Sequence, residues 1–349
     1  MDCIIPGPSI RPFCAAIGCL SRIGKELYID FDAVDGCSIR SLNDSKSVFG
    51  SFHFEPAFFS RCNSGTTSSM KQVLSTSSKK GRRKRKRNNG DGTIADDGRW
   101  TVRIAMKALA AIIRPRKDVL QLHIITTGDH LAFEFQLQKM GGSIVRVTHK
   151  VGYSNAQGVA AVTSTDNASE LVVKPNILST MLEPLKRSIE IAILVNETYR
   201  LVSSVSFAYD DLPSETAGSS LNRSQQKASL KTETSVSYED LVDINYVSYH
   251  HINNKNGDNG GVLPPDDLKE QVVLVFTLKE LKSFLQYCSQ AVIDQELLVS
   301  IQFFWGGKPI VAKTEGDQFS AELVMATLDH KLLGNMKIST SAATTTTAT

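Results

Sequence analysis

Along this chain, segments with helix-like and strand-like spacing of apolar residues follow one another in a fixed order, and that order occurs twice. Between residues 10 and 20 they recur every three or four positions, as on one face of a helix. Three segments with apolar residues at alternate positions follow, at 26–31, 37–42 and 47–54, as expected for strands with one buried face. A short strand at 3–5 precedes this set. Residues 100–150 then predict another strand, a short helix around Leu109 and three more strands.

Residues 169–330 repeat this order, with predicted helices near Leu178 and Leu281. Segments rich in Ser, Thr, Asn, Gly and charge interrupt the pattern at about 61–98, 210–228 and 249–268, and a short disordered tail is expected at 335–349. The repeated order predicts an α+β fold of two tandem similar domains, each with antiparallel strands and two helices. Domain one is predicted at 1–150, a connecting loop at 151–168 and domain two at 169–330.

Positive charge is concentrated in one run. Lys and Arg number 39 against 36 Asp and Glu, a net charge of +3 that alone indicates no nucleic-acid partner. Eight cations lie in KKGRRKRKR at 79–87, without which acidic residues exceed basic ones by five. The run predicts a nuclear import signal, the alternatives being extra DNA contact or a solvated loop. Its cations are Lys79, Lys80, Arg82, Arg83, Lys84, Arg85, Lys86 and Arg87.

The cysteines and the N-terminus bear on the compartment. The six cysteines form no CxxC pair and five lie in the first 62 residues, which suggests neither a disulfide framework nor a zinc finger. A reducing compartment is expected. The N-terminus MDCIIPGPSIRPF lacks the features of a signal peptide. No apolar run approaches the roughly 20 residues that span a bilayer, so no membrane partner is expected.

The predicted helices have a second face with small and basic residues. The residues that share this face are Arg11, Ala15, Gly18 and Arg22 on the first helix, Lys107, Ala111 and Arg114 on the second, Ser179, Glu183 and Lys186 on the third, and Lys279, Lys282 and Gln286 on the fourth. A phosphate backbone can approach such a surface closely. The alternative is an ordinary solvated face, and Glu183 and Glu280 weaken the basic character of the second half.

Segments at both ends of the chain resemble a known family. The segment CLSRIGKELYIDFDAVDGCSIRSLNDSKSVFGSFHFEPAFF (19–59) resembles the opening of the Rad-nine subunit of the nine-one-one checkpoint clamp, a relative of proliferating cell nuclear antigen. The segments VLVFTLKELKSFLQYC (273–288) and SIQFFWGGKPIVAKTEGDQFSAELVMATL (300–328) are similar to its closing elements. The order of elements extends the likeness through most of the remaining chain.

The resemblance implies a DNA-clamp fold. Antiparallel sheets would form the outer rim of a three-subunit ring, and two helices per domain would face a central hole that encircles double-stranded DNA without sequence specificity. The implied partners are two related clamp subunits in a heterotrimer, a clamp loader, and checkpoint and repair proteins at damage sites in the nucleus; no cofactor is implied. The DNA-facing residues would be Arg11, Arg22, Lys107, Arg114, Lys186, Lys279 and Lys282.

The resemblance also implies surfaces for partner proteins. Rings of this family close through edge strands, and the candidates by position are 143–150 and 229–237. A pocket for client peptides would lie beside the connecting loop, formed by Leu42, Pro309, Val324 and Met325; the alternative is that these are ordinary strand residues. Members of the family commonly have a long phosphorylated C-terminal tail, whereas about 20 residues follow the last predicted strand here, so signalling through such a tail is not expected.

Signs of catalysis are sparse. The sequence contains no GxSxG, GxGxxG, GxxxxGK[ST] or HExxH motif, and His250–His251 lacks partners at ligand spacing. A non-enzymatic subunit of a heterotrimeric sliding clamp is therefore predicted. The alternatives are a homotrimeric replicative clamp and a metal-dependent nuclease that uses aspartates in predicted loops. Those aspartates are Asp96, Asp97, Asp210, Asp211, Asp266 and Asp267.

Overall fold

A computed structural model of the chain describes residues 1–32, 34–63, 100–114, 118–206, 232–247, 271–293 and 295–329. The chain divides into two compact units, Met1–Ala160 with Gly316–Ala321 and Ala161–Glu315 with the chain from Glu322. The insertions predicted at 210–228 and 249–268, the tail at 335–349 and the basic run at 79–87 lie outside the described residues.

The first half of the chain forms strands and helices in the predicted order. Its elements are β1 (Asp2–Pro6), α1 (Gly7–Ile23), β2 (Glu26–Asp32), β3 (Gly36–Leu42), β4 (Val48–Phe54), β5 (Arg61–Asn63), β6 (Trp100–Ala105), α2 (Met106–Ile112), β7 (Val119–Thr127), β8 (His130–Gln138), β9 (Ile144–Gly152) and β10 (Ser154–Asn155).

The second half repeats the sequence of elements. Its elements are β11 (Ser169–Val173), α3 (Pro175–Leu182), β12 (Glu190–Asn196), β13 (Leu201–Ser206), β14 (Glu233–Ser237), β15 (Asp243–Asn245), β16 (Gln271–Thr277), α4 (Leu278–Gln290), β17 (Val299–Phe303), β18 (Ile310–Gly316) and β19 (Phe319–Met325).

The strand orders of the two halves correspond. In the first half the neighbours run β5-β1-β7-β8-β9 and β10-β6-β2-β3-β4, and in the second β15-β11-β17-β18-β19 and β16-β12-β13-β14. Apart from the two-residue β10, each strand of the first half has a counterpart in the same place in the second. The two halves are therefore copies of one α+β arrangement, and the predicted fold class is confirmed.

Each half buries the apolar face that its periodicity predicts. On α1 this face comprises Ile10, Phe13, Ile17 and Leu20, all at most 3% exposed. On β4, Gly50 allows α1 to approach closely, because a Cβ there would lie 2.7 Å from the Cδ1 atom of Ile23. In the second half, a buried cluster joins β12, β13 and β16; its members are Ala192, Leu194, Val205, Val273 and Val275. Within the described residues, no helix is long and apolar enough to cross a bilayer.

The structure adds three very short strands. β5 and β15 have three residues each and β10 has two, too few for a periodic pattern. The insertion was predicted to begin at about residue 61, but Arg61–Asn63 forms β5, which pairs with β1. β15 pairs with β11 in the same way.

Candidate nucleic-acid interface

Each of the four described α-helices begins within two residues of the end of a strand. α1 follows β1, α2 follows β6, α3 follows β11 and α4 follows β16. Within each half the two helices contact each other, α1 with α2 and α3 with α4. The duplicated strand–helix junction therefore presents a pair of adjacent helices in each half, and the outer faces of these pairs form the candidate interface.

The outer face of α1 is the one that the sequence predicts. Arg11, Gly18 and Arg22 are exposed and Ala15 is half-buried. A Cβ at Gly18 would meet no atom within 4 Å, so packing does not require glycine there. Because the small residues lie between the two arginines, the phosphate backbone of a nucleic acid can approach the helix between two cations.

On α2, Lys107 and Ala111 are exposed. Arg114 is exposed too, but α2 ends at Ile112, so its assignment to the helix face was wrong. The reason is Pro115, since a proline disfavours helical conformation in the residue before it. α1 and α2 together contain three charged residues, and all three are cations: Arg11, Arg22 and Lys107.

The second half presents a different charge pattern. Lys279 is exposed on α4 and Lys282 is partly exposed. Lys186 was predicted to lie on the third helix, but α3 ends at Leu182 and Lys186 lies in the turn that follows. Pro184 has no backbone N–H to continue the helical ladder, which accounts for this early end.

Glu183 offsets two of these lysines. The Lys186 Nζ donates a hydrogen bond of 2.8 Å to Glu183 Oε1, and the Lys282 Nζ lies 3.6 Å from Glu183 Oε2. The hydrogen bond and charge of Lys186, with the charge of Lys282, hold the Glu183 pKa below its usual value. Glu183 is therefore ionised at neutral pH, and the basic character of this face is weaker than that of α1 and α2.

Glu280 does not lie on the outer face. Its side chain is turned inward and only 8% exposed, and its carboxylate accepts a hydrogen bond of 2.8 Å from the Thr277 hydroxyl at the start of α4. Glu280 is therefore not one of the exposed charges of the outer face, because helix periodicity places it among the buried residues beside Leu281.

Each half also has an edge strand at the position predicted for ring closure. Among the described strands, β9 ends its sheet next to β8 and β14 ends its sheet next to β13; residues 229–231 of the second candidate lie outside the described part of the chain. β9 exposes Ile144 and Val145 together with the cations Arg146 and Lys150. β14 begins with Glu233, and the residues after it include Glu239 and Asp240. An edge strand offers backbone N–H and C=O groups to which another strand can pair.

The residues predicted for a peptide pocket lie in both halves. Leu42 is half-buried at the end of β3. Pro309 is half-buried just before β18, and Val324 and Met325 are buried on β19, Met325 completely. Their role in client binding stays a prediction.

The first unit contains a cleft of about 560 Å³ that the sequence did not reveal. It lies between the outward-facing side chains of β2 and β3 and the segment at 158–160 of the predicted connecting loop. Arg40 forms an ion pair with Asp30 and donates a hydrogen bond of 3.4 Å to the Val159 carbonyl. Asp35 and His53 also line it, whereas Leu42 does not. The alternation of β2 indicates which residues face outward, but not that residues near 158 cover them.

The described residues contain no group of three or more His, Cys, Asp or Glu side chains that could hold a metal ion. All six aspartates of the nuclease alternative and the pair His250–His251 lie outside the residues that the structure describes.

Solved structures of sliding clamps share this fold. The chain is similar to PCNA from Thermococcus kodakaraensis at 13% identity and a TM-score of 0.59, covering 93% of this chain and 99% of that one. It is similar to a PCNA2–PCNA3 complex from Sulfolobus tokodaii at 10% identity and a TM-score of 0.58, covering 94% and 99%. A structure of the C-terminal region of FEN-1 bound to A. fulgidus PCNA matches at 11% identity and a TM-score of 0.55, covering 97% and 99%. The fold is therefore that of a sliding clamp.

The sequence assigns the chain within this class. It matches the Rad9 family over residues 13–328, which is most of its length. The chain belongs to the Rad9 family, and the resemblance predicted from its two ends is confirmed.

Proposed function

We propose that this chain is a non-enzymatic subunit of a heterotrimeric ring that encircles double-stranded DNA at damage sites and carries checkpoint and repair proteins. The observation that supports this most is the outer face of α1 and α2, where every charged residue is a cation. Such a face binds phosphates without reading bases, so the affinity depends on salt and not on sequence. Membership of the Rad9 family favours a ring with two different partners over a ring of identical chains.

The test is co-expression with two related clamp subunits of the same organism, followed by size-exclusion chromatography. The expected result is a complex with one copy of each subunit, whereas the chain alone elutes as a monomer. A clamp loader should then place the ring on circular DNA. The ring should remain bound in high salt and should dissociate when the DNA is cut. Equal dissociation of the ring from circular and from cut DNA would contradict encirclement.

A homotrimeric clamp is the second candidate, and one feature favours it. The edge strand β9 carries Arg146 and Lys150, whereas β14 and the residues after it carry Glu233, Glu239 and Asp240. The two edges are therefore complementary in charge, and two copies of this chain could pair head to tail. A stable trimer of the chain alone on the sizing column would support this candidate and overturn the heterotrimer.

Besides Leu42, Pro309, Val324 and Met325, which are predicted for this role, the cleft beside Asp30 and Arg40 is a second proposed site for client peptides. In a similar structure, A. fulgidus PCNA is bound to such a segment, the C-terminal region of FEN-1. Peptides are first selected for binding to the unmodified ring. A ring with Arg40→Glu should no longer bind them, whereas a ring with Lys46→Glu, an exposed position outside the cleft, should still bind them. Equal retention by both variants would exclude the cleft.

Nuclear import through the run at 79–87 completes the proposal. A fluorescent fusion of the whole chain should accumulate in the nucleus, and replacement of the eight cations by Gln should leave it in the cytoplasm. Unchanged accumulation would remove the import role from this run.

A further inference from the structure

Two thiols face each other across neighbouring strands of the first half. Cys3 on β1 and Cys62 on β5 are direct partners in the antiparallel register, and their Sγ atoms are 3.1 Å apart. Cys3 is buried and Cys62 is half-buried, and both are free thiols in the structure. They are 59 positions apart in the sequence.

The duplicated half has no thiols in the corresponding place. There β11 pairs with β15 in the same register, and the central pair is Leu171 with Ile244. Two aliphatic side chains thus suffice to pack this position. The thiol pair is therefore particular to the first half, where it adds a reactive group to a position that is aliphatic in the second.

The backbone geometry permits a bond between these thiols. Residues directly opposite in an antiparallel pair have Cα atoms about 4.5–5.5 Å apart. Disulfides span Cα separations of about 4.4–6.8 Å. A bond between Cys3 and Cys62 therefore requires only side-chain rotation, with both strands in place.

The two sulfur atoms differ in reactivity. The hydrogen bond between the two thiols lowers the pKa of Cys62, against the opposing effects of burial and of the Asp2 charge. The hydrogen bond, together with burial, raises the pKa of Cys3. The more accessible thiol is thus also the more acidic, and thiolate is the form that attacks peroxides.

We propose that Cys3 and Cys62 form an oxidant-sensitive modification site, which hydrogen peroxide converts into an intramolecular disulfide that links β5 to β1. The Cys62 thiolate attacks one peroxide oxygen, forming a sulfenic acid and releasing hydroxide. The Cys3 sulfur then displaces the sulfenic oxygen, so that the S–S bond forms, both thiol protons are taken up and two water molecules result. Each sulfur loses one electron and the peroxide is reduced.

The bond would anchor the edge of its sheet. β5 has only three residues and pairs with β1 alone among the described strands. From Asn63 the sequence continues towards the basic run at 79–87. Oxidation therefore fixes β5, and with it Asn63, to β1.

The test is peptide mapping of the whole purified chain after peroxide treatment and alkylation. Trypsin leaves Cys62 in peptide 62–71 and Cys3 in peptide 1–22, because Pro12 protects Arg11 from cleavage. The expected product links these two peptides, fragmentation places the bond on Cys3, and dithiothreitol reverses it. In Cys3→Ser, Cys62 should instead accumulate as a sulfenic acid that dimedone traps.

Two further variants complete the test. Cys62→Ser should abolish the linked product, and Cys288→Ser, which removes a buried thiol on α4, should leave it unchanged. A bond to Cys14, Cys19 or Cys37 in place of Cys3 would overturn the proposal. So would oxidation of Cys62 no faster than that of the buried Cys288.

Discussion

The cations on the outer face of α1 and α2 allow a quantitative prediction. Neutralising Arg11, Arg22 and Lys107 to Gln removes every charged group on these two helices without introducing negative charge. Each phosphate contact contributes about 0.9 to the slope of log affinity against log salt, so three contacts contribute about 2.7. Between about 50 and 200 mM salt, the affinity of the unmodified clamp should therefore fall about 40-fold more than that of the variant.

The assay is fluorescence anisotropy of a short linear duplex, titrated with the assembled clamp at several salt concentrations. The control replaces three exposed lysines of the same unit that lie off the helices, Lys25, Lys46 and Lys139, by Gln. The control variant loses the same net charge as the helix variant. If contact with phosphates rather than total charge sets the salt dependence, the slope of log affinity against log salt for the control variant should be nearly that of the unmodified clamp. Parallel slopes for the helix variant and the unmodified clamp would refute the assignment of this face to DNA.

Three further predictions follow from particular contacts. Glu183→Gln should steepen the salt dependence of DNA binding in the same assay, because two lysines lose their acidic partner; an unchanged slope would place them away from DNA. Leu109→Ala on α2 should lower the free energy of urea unfolding by about 2–5 kcal/mol, because Leu109 is fully buried; a loss below about 1 kcal/mol would contradict that packing. Arg61 lowers the pKa of Asp2, so this carboxylate contributes its full stabilisation at neutral pH and loses it as the pH falls through its folded pKa. Asp2→Asn should thus destabilise the chain at pH 7. The difference in urea midpoint between this variant and the unmodified chain should become smaller below about pH 4, and a difference independent of pH would refute the ion pair.

Much of the fold follows from local pattern. The buried face of α1 and the strands β2, β3 and β4 lie where the periodicity places them, because side-chain direction repeats with the period of the element. Two helix ends were misjudged although the sequence contains their signals, Pro115 and Pro184. The three shortest strands have too few residues for any periodicity, and their partners alone define them.

The sequence by itself determined the duplicated order of elements, the two arginines on the outer face of α1 and the family, because each depends on residues close together in the chain or on long matching segments. Only the tertiary structure decided that Glu183 binds two lysines, that the segment near Val159 covers Arg40, and that Cys3 lies opposite Cys62. Apart from the local pair Glu183–Lys186, these contacts join residues far apart in the sequence, and they depend on which elements become neighbours and, for Cys3 and Cys62, on the strand register. Local periodicity carries no information about either.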